Sequence, residues 1–331
     1  MIVRLPNWLG DTVMAVPALR ALRETLSGAE IMLAGPWAPI LAGQGLADVL
    51  VAYPRSWSGR LHAADTLRRF GGDSAVLLPN SFEAAAAAVY WGARRRVGFA
   101  LGGRSWLLTD AIEPPRPRLH QTDEYALLVE PLDVAVSARA PRLDPPAAGS
   151  PARVRARALL SEAGAPARGE GRRVVGVHLG AVYGSAKVWE SSRVVEFCAL
   201  LRSVGDAPVL LGTPRERPAA DEVLAAVPVA SLVGRDRPEL LPALLPELDA
   251  LVSGDTGVGH LAAALGTPVA VLFGPTDPAL TAPRGPVAIV RYPARCAPCF
   301  HRVCPIDHPC MRFLDAATVK GRVEALLVGG G

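Results

Sequence analysis

Lysine is nearly missing from this sequence. Of 35 basic residues among 331, only Lys187 and Lys320 are lysines, and the rest are arginines. The first 165 residues carry a net charge of +3 and the remainder +1, so neither half is a basic nucleic-acid-binding domain and no nucleic-acid partner is expected. Long apolar runs are also absent. The longest, near residues 84–93, is about half of the ~20 residues that a membrane-spanning helix requires. The chain opens Met1-Ile-Val-Arg-Leu-Pro, with no charged segment leading into an apolar core, so no signal peptide is expected. Five cysteines in such a chain are too few for a disulfide framework, and the expected compartment is the cytoplasm. No internal repeat of fixed period is present.

What is there is half hydrophobic by residue count, enough for a sizeable core, and long enough for about two domains. Short apolar runs alternate with longer amphipathic ones, which reads as α/β with parallel sheets. Strands are predicted at Ile2–Leu5, Glu30–Ala34, Val49–Ala52, Ser74–Leu78 and Arg96–Phe99, then at Val174–His178, Pro208–Leu211, Val229–Leu232, Ala250–Val252 and Val269–Phe273. Helices are predicted near Thr12–Leu26, Ala63–Phe70, Ser81–Trp91, Arg193–Val204, Pro218–Ala226, Pro238–Leu245, Val258–Leu265 and Ala316–Leu327. Proline- and alanine-rich sequence lies between the halves, with one short helix starting at Ser150-Pro151, an N-cap followed by proline. The expected organisation is a Rossmann-like domain over 1–150, a linker over 151–172 and a second Rossmann-like domain over 173–331. Two doubly wound domains facing across a cleft would place ligands at the carboxyl ends of their strands.

Three loops carry candidate chemistry. Trp8-Leu9-Gly10-Asp11 follows the first strand. A carboxylate there can act as a general base toward a hydroxyl, or can simply cap the following helix. Gly180-Ala181-Val-Tyr-Gly-Ser-Ala-Lys187 follows the first strand of the second half. Its small residues allow close backbone approach to an anion and Lys187 supplies charge, although the Walker pattern is absent. Asp255-Thr256-Gly257-Val-Gly-His260 joins a buried strand to a helix whose first N–H groups would face an anion. Gly257-x-Gly259-x-x-Ala262 also fits a dinucleotide fingerprint, but Asp255-Thr256 intervene after the strand and the unit comes late in its domain, against that reading.

Taken together and in order, these loops resemble the ADP-heptose:lipopolysaccharide heptosyltransferases, glycosyltransferase family 9. Leu78-Pro-Asn80-Ser81-Phe, Arg96-Val-Gly-Phe and Arg104-Ser-Trp-Leu-Leu-Thr-Asp110 resemble its heptosyltransferase II branch. The resemblance runs from residue 1 to about 320. It implies a GT-B fold and inverting transfer of L-glycero-D-manno-heptose from ADP-heptose to the lipopolysaccharide inner core, heptosyl-Kdo2-lipid A. It implies an acceptor-binding N-terminal domain and a donor-binding C-terminal one. Asp11 matches the proposed base, Lys187 the diphosphate lysine, and Asp255, Thr256, Gly257 and His260 the donor loop. Gly180, Ala181 and the Gly212-Thr213 turn with Glu216 fall on the donor side, and His178 stands just before them. On the acceptor side the expected residues are Asn80, Ser81 and the acid-free arginine run Arg94, Arg95, Arg96 and Arg104, suited to carboxylate and phosphate groups. Arg55, Arg60, Arg68 and Arg69 are further candidates. Peripheral contact with the cytoplasmic face of the inner membrane is expected, through arginines and exposed apolar groups.

Lysine and a helix dipole can replace the divalent metal other transferases use, so no essential metal is expected at the chemical step. Cys296-x2-Cys299-x4-Cys304-x5-Cys310 is spaced for a structural zinc, with His301 and His308 as substitutes. Reduced thiols are the alternative. Two other functional readings stay open: another nucleotide-sugar enzyme of this fold, such as a related core glycosyltransferase or an epimerase, and a non-catalytic sugar-nucleotide-binding protein.

Overall fold

The computed structural model describes residues 1–54 and 56–328; Arg55 and the Gly329–Gly331 tail lie outside the described residues. The chain divides into two compact units, Met1–Arg142 and Leu143 onward. The first holds β1 (Ile2–Arg4), β2 (Met32–Gly35), β3 (Val49–Ala52), β4 (Ser74–Leu77), β5 (Arg95–Phe99) and β6 (Asp110–Ile112), in the order β3-β2-β1-β4-β5-β6. The second holds β7 (Val174–His178), β8 (Ala207–Leu211), β9 (Ala230–Ser231), β10 (Ala250–Gly254), β11 (Val269–Phe273) and β12 (Val287–Arg291), in the order β12-β11-β10-β7-β8-β9. Every neighbouring pair is parallel. Counted from its own first strand, the second sheet repeats the order of the first. In each unit the chain starts at the centre, walks outward, then returns and walks the other way. The reversal leaves a switch point between β1 and β4, and another between β7 and β10, where diverging loops open room for a ligand.

Strands β8, β10 and β11 are buried at every residue, as parallel strands covered on both faces must be. The helix Ser191–Ser203 buries Val194, Phe197, Cys198 and Leu201, spaced three, four and seven residues from the first, as one helical face requires. Each large side chain in such a stripe contributes about 1.5–3 kcal/mol on burial. Among the described residues no helix is long and apolar enough to cross a membrane.

The ten strands expected from sequence are present. Edge strands β6 and β12 were not expected: β6 is only three residues long and opens on an aspartate, whereas the Val287-Ala-Ile-Val290 run of β12 was an apolar signal left unread. The helix expected over Thr12–Leu26 starts earlier and is two helices, Leu9–Met14 and Val16–Thr25. Pro17, in the first turn of the second, has no N–H to continue the ladder. Trp8 is therefore the N-cap, and Asp11 lies inside the first turn, which corrects the capping alternative. Another helix, Gln121–Leu127, was missed; the His120 side chain accepts from the Thr122 N–H at 3.2 Å and caps it. The 151–172 segment holds the helix Pro151–Glu162, and its Ser150 cap accepts from the Arg153 N–H at 3.3 Å. Arg153 and Arg157 of that helix reach the buried Glu247 at 2.6 and 3.4 Å, so the helix packs as part of the second unit.

Candidate functional site

At the switch point of the second unit, Lys187 follows β7 and Asp255 follows β10. Lys187 Nζ donates to Asp255 Oδ2 at 2.5 Å and to the Asp255 carbonyl at 3.0 Å, and both side chains are buried. Thr276 Oγ1, just past β11, donates to the same Oδ2 at 2.8 Å. His260 is buried with Nε2 3.8 Å from Asp255 Oδ1. Burial works against the Asp255 charge, but His260 and Lys187 outweigh it and hold the carboxyl down at about 2. The pair forms because β10 ends in glycine: a Cβ on Gly254 would stand 2.7 Å from the Lys187 carbonyl. Thr256 starts the helix Gly257–Ala264 without a side-chain cap bond; its hydroxyl meets Ser253 Oγ at 2.8 Å instead. No side chain of its N-cap therefore occupies the first-turn N–H groups. His178, Gly180, Lys187, Ser253 and Gly254 line one small pocket.

Beside it lies the turn after β8. The Gly212 N–H donates to Asp236 Oδ2 at 2.9 Å, and Thr213 Oγ1 donates to Glu216 Oε2 at 2.7 Å. The Glu216 carboxyl packs against Gly180. Burial pushes the Asp236 carboxyl up to about 7 against the pull of the Gly212 N–H. Burial also pushes the His178 imidazole down to about 4, with Glu216 opposing, so it is neutral near pH 7. Asp236 Oδ1 and His178 Nδ1 are buried without hydrogen-bond partners among the described residues.

At the switch point of the first unit, Asp11 follows β1 and is half-buried. Arg118 and Tyr125 are within electrostatic reach of it. Burial, then the charges of Asp11 and Glu124, push the Tyr125 hydroxyl well above its ordinary range. Arg118 donates to both oxygens of the buried Glu124, at 3.0 and 2.8 Å. The loop before Asp11 is fixed from three sides. Arg4 Nη2 donates to Asn7 Oδ1 at 2.7 Å, Trp37 Nε1 donates to the Asn7 carbonyl at 3.1 Å, and Thr12 Oγ1 donates to the Trp8 carbonyl at 3.0 Å. Asn80 and Ser81 follow β4 on the same carboxyl edge and are exposed, with Ser81 capping the helix Phe82–Tyr90.

Residues 60–309 match the sequence profile of glycosyltransferase family 9 (heptosyltransferase). The chain belongs to that family. It is 28% identical over 296 residues to lipopolysaccharide heptosyltransferase 2 of Salmonella typhimurium, covering 84% of this chain and 83% of the relative. In structure it is similar to the Escherichia coli ADP-heptose lipopolysaccharide heptosyltransferase II, with a TM-score of 0.80 and 23% identity over 99% of this chain and 98% of that one. A family 9 glycosyltransferase from Veillonella parvula superposes with a TM-score of 0.85 at 17% identity, over 99% and 97% of the two chains. The fold is accordingly GT-B-like.

In this family 9 glycosyltransferase the expected arginine run does not come to the carboxyl edge. Arg94, Arg95 and Arg96 stand at the amino end of β5, the opposite edge of the sheet from Asp11 and Asn80. Arg94 pairs with Asp73 at 2.9 Å, Arg95 pairs with Asp110 at 2.9 Å, and Arg96 donates to the Leu107 and Ala93 carbonyls at 2.6 Å each. Arg104 is fully buried. It donates to the carbonyls of Pro79 (2.5 Å), Ser81 (3.2 Å) and Phe99 (3.2 Å) and to Asn80 Oδ1 (3.3 Å), so it shapes the Asn80-Ser81 turn from beneath. Arg60 lies 3.7 Å from Glu83, and Arg68 rests over the Tyr90 ring.

The four cysteines expected to hold a structural zinc lie near one another. Burial pushes the Cys310 thiol up to about 11, with Cys296, Cys299 and Cys304 adding to the shift. Yet among the described residues no group of three or more His, Cys, Asp or Glu is placed to hold a metal ion. Arg118, Glu124, Tyr125 and Thr276 were missed from sequence. The first three sit on or before the unforeseen helix, whose acidic first turn (Asp123, Glu124) was the available signal.

Proposed function

We propose that the protein transfers heptose from ADP-heptose to the lipopolysaccharide inner core, with inversion at the anomeric carbon. The observation that carries this reading is the pairing of unlike switch points in a family 9 chain: a carboxylate after β1 in one unit, and a lysine with an uncapped helix start in the other. The second unit binds the ADP moiety. Lys187, the small residues Gly180 and Ala181, and the N–H groups at Gly257 face the diphosphate, while Thr213 and Glu216 meet the nucleoside. As the glycosidic bond breaks, negative charge grows on the leaving ADP, and fixed N–H dipoles and a cation stabilise it most at that moment. Asp255 sets the position of Lys187, and Thr256 and His260 hold the loop in register.

The first unit binds the acceptor near Asn80 and Ser81. Asp11 takes the proton from the attacking hydroxyl, so one displacement completes the transfer without a covalent enzyme intermediate. Lysine and helix dipole supply the charge stabilisation, and no divalent metal is needed at this step. The exposed Phe82 and Trp106, whose rings meet at a tilt with centroids 6.1 Å apart close in sequence and space to the Asn80-Ser81 turn, suit a peripheral approach to a lipid-borne acceptor at the cytoplasmic face of the inner membrane.

The test is transfer from ADP-heptose to heptosyl-Kdo2-lipid A and to Kdo2-lipid A, with and without excess EDTA. Transfer to the heptosylated acceptor, undiminished by EDTA, is expected. Binding of ADP-heptose without transfer to either acceptor would leave only the non-catalytic binding reading.

A further inference from the structure

The cysteine-rich segment is packed directly against the Lys187 loop. The Ala186 N–H donates to the Arg302 carbonyl at 3.1 Å. A Cβ on Gly184 would come within 2.2 Å of that same oxygen, so only glycine permits the contact. Tyr183 OH donates to the Phe300 carbonyl at 2.5 Å, and a ring nitrogen of His308 meets the Ala186 carbonyl at 2.7 Å. From the other side, the N–H groups of Cys299 and Phe300 donate to the Pro275 carbonyl at 3.0 and 2.8 Å, next to the Thr276 that holds Asp255. The segment thus bridges two loops of the site already described: the loop after β7 and the turn after β11.

Two cations rest on one ring as a result. Lys187 Nζ lies 4.5 Å from the Tyr183 ring centre and the Arg302 guanidinium carbon 5.3 Å from it. Their circumstances differ. Lys187 is buried and neutralised by Asp255 at 2.5 Å. Arg302 is exposed, and among the described residues no carboxylate pairs with it. A nucleoside diphosphate brings more negative charge than a lysine already paired with an aspartate can balance. A guanidinium offers what is lacking, an uncompensated charge with a planar fork of donors that fits phosphate oxygens.

We infer that Arg302 is a second diphosphate-binding residue of the donor site, delivered to it by the 296–310 segment. This rests on the reading of the Lys187 loop as the donor site. The experiment is calorimetric titration of ADP and AMP into the full-length protein and its Arg302→Gln, Arg302→Lys, Lys187→Ala and Arg295→Gln variants. Arg295, exposed immediately before that segment, serves as the control. The expected result is an ADP Kd raised about tenfold or more in Arg302→Gln, the scale of one charge-assisted contact. AMP should weaken by a smaller factor, Arg302→Lys should recover part of the loss, and Arg295→Gln should match wild type. ADP binding within twofold of wild type in Arg302→Gln, with Lys187→Ala impaired, would overturn the role of Arg302 alone. Unchanged binding in both would overturn the donor-site reading and the inference with it. Equal melting temperatures for Arg302→Gln and wild type separate lost binding from lost folding.

Discussion

The two units share one strand order and differ at the point where that order reverses. In the first, the loop after β1 presents a half-buried carboxylate, Asp11, whose neighbours are Arg118 and a buried tyrosine. In the second, the loop after β7 presents a lysine locked onto the aspartate that follows β10. The same topology thus presents a carboxylate in one unit and an acid-paired lysine in the other. The sheet fixes where side chains emerge; the residue that emerges decides what happens there. The buried cations make the same point. Arg4 and Arg104 of the first unit are locked onto backbone and asparagine oxygens and act as struts. Lys187 of the second, also buried, is bound to an acid whose charge it sustains.

The comparison breaks first, and hardest, at Asp11. If it is the base, Asp11→Asn lowers the transfer rate by about 10²–10⁴-fold and leaves the donor KM unchanged in steady-state kinetics; a rate within threefold of wild type removes the division of labour between the units. Next in size is Lys187→Ala, which should raise the donor KM about 10- to 100-fold. Lys320→Ala should change it less than twofold, because Lys320 pairs with Glu324 on the terminal helix. The smallest effect sharpens the picture of the second unit. The folded protein keeps the Asp236 proton up to about pH 7, whereas an unfolded chain releases it near the ordinary carboxylate value of about 4. Over that window the folded state binds more protons, so this group contributes less to stability as pH rises. Denaturant unfolding at pH 4.5 and 7.5 should show Asp236→Asn gaining on wild type at the higher pH. A parallel shift at both pH values would mean that Asp236 is already ionised in the fold.

Much of the architecture was legible because parallel strands buried on both faces leave continuous apolar runs, as in β7, β10 and β11. The glycines and small residues around Lys187 and after Asp255 were legible for the same kind of reason, since close backbone approach tolerates little else. The three-residue edge strand β6 left no such trace, while β12 left a run of four apolar residues that went unread. The arginine run was misplaced because composition records that four arginines are near in sequence, not that β5 carries three of them to the amino edge and buries the fourth. The spacing of the cysteines brings them near one another but does not by itself fix whether their thiols converge on one ion.

By itself, then, the sequence determined two parallel α/β units, the three loops proposed to carry the chemistry, and the family, because periodicity and small-residue loops are local signals. The tertiary structure alone decided that Lys187 finds Asp255 across 68 residues, that Arg118 and Tyr125 come to Asp11, and that Arg302 is pressed against the Lys187 loop. Those contacts arise where strands distant in the chain become neighbours in a sheet, and no local pattern encodes which residues then meet.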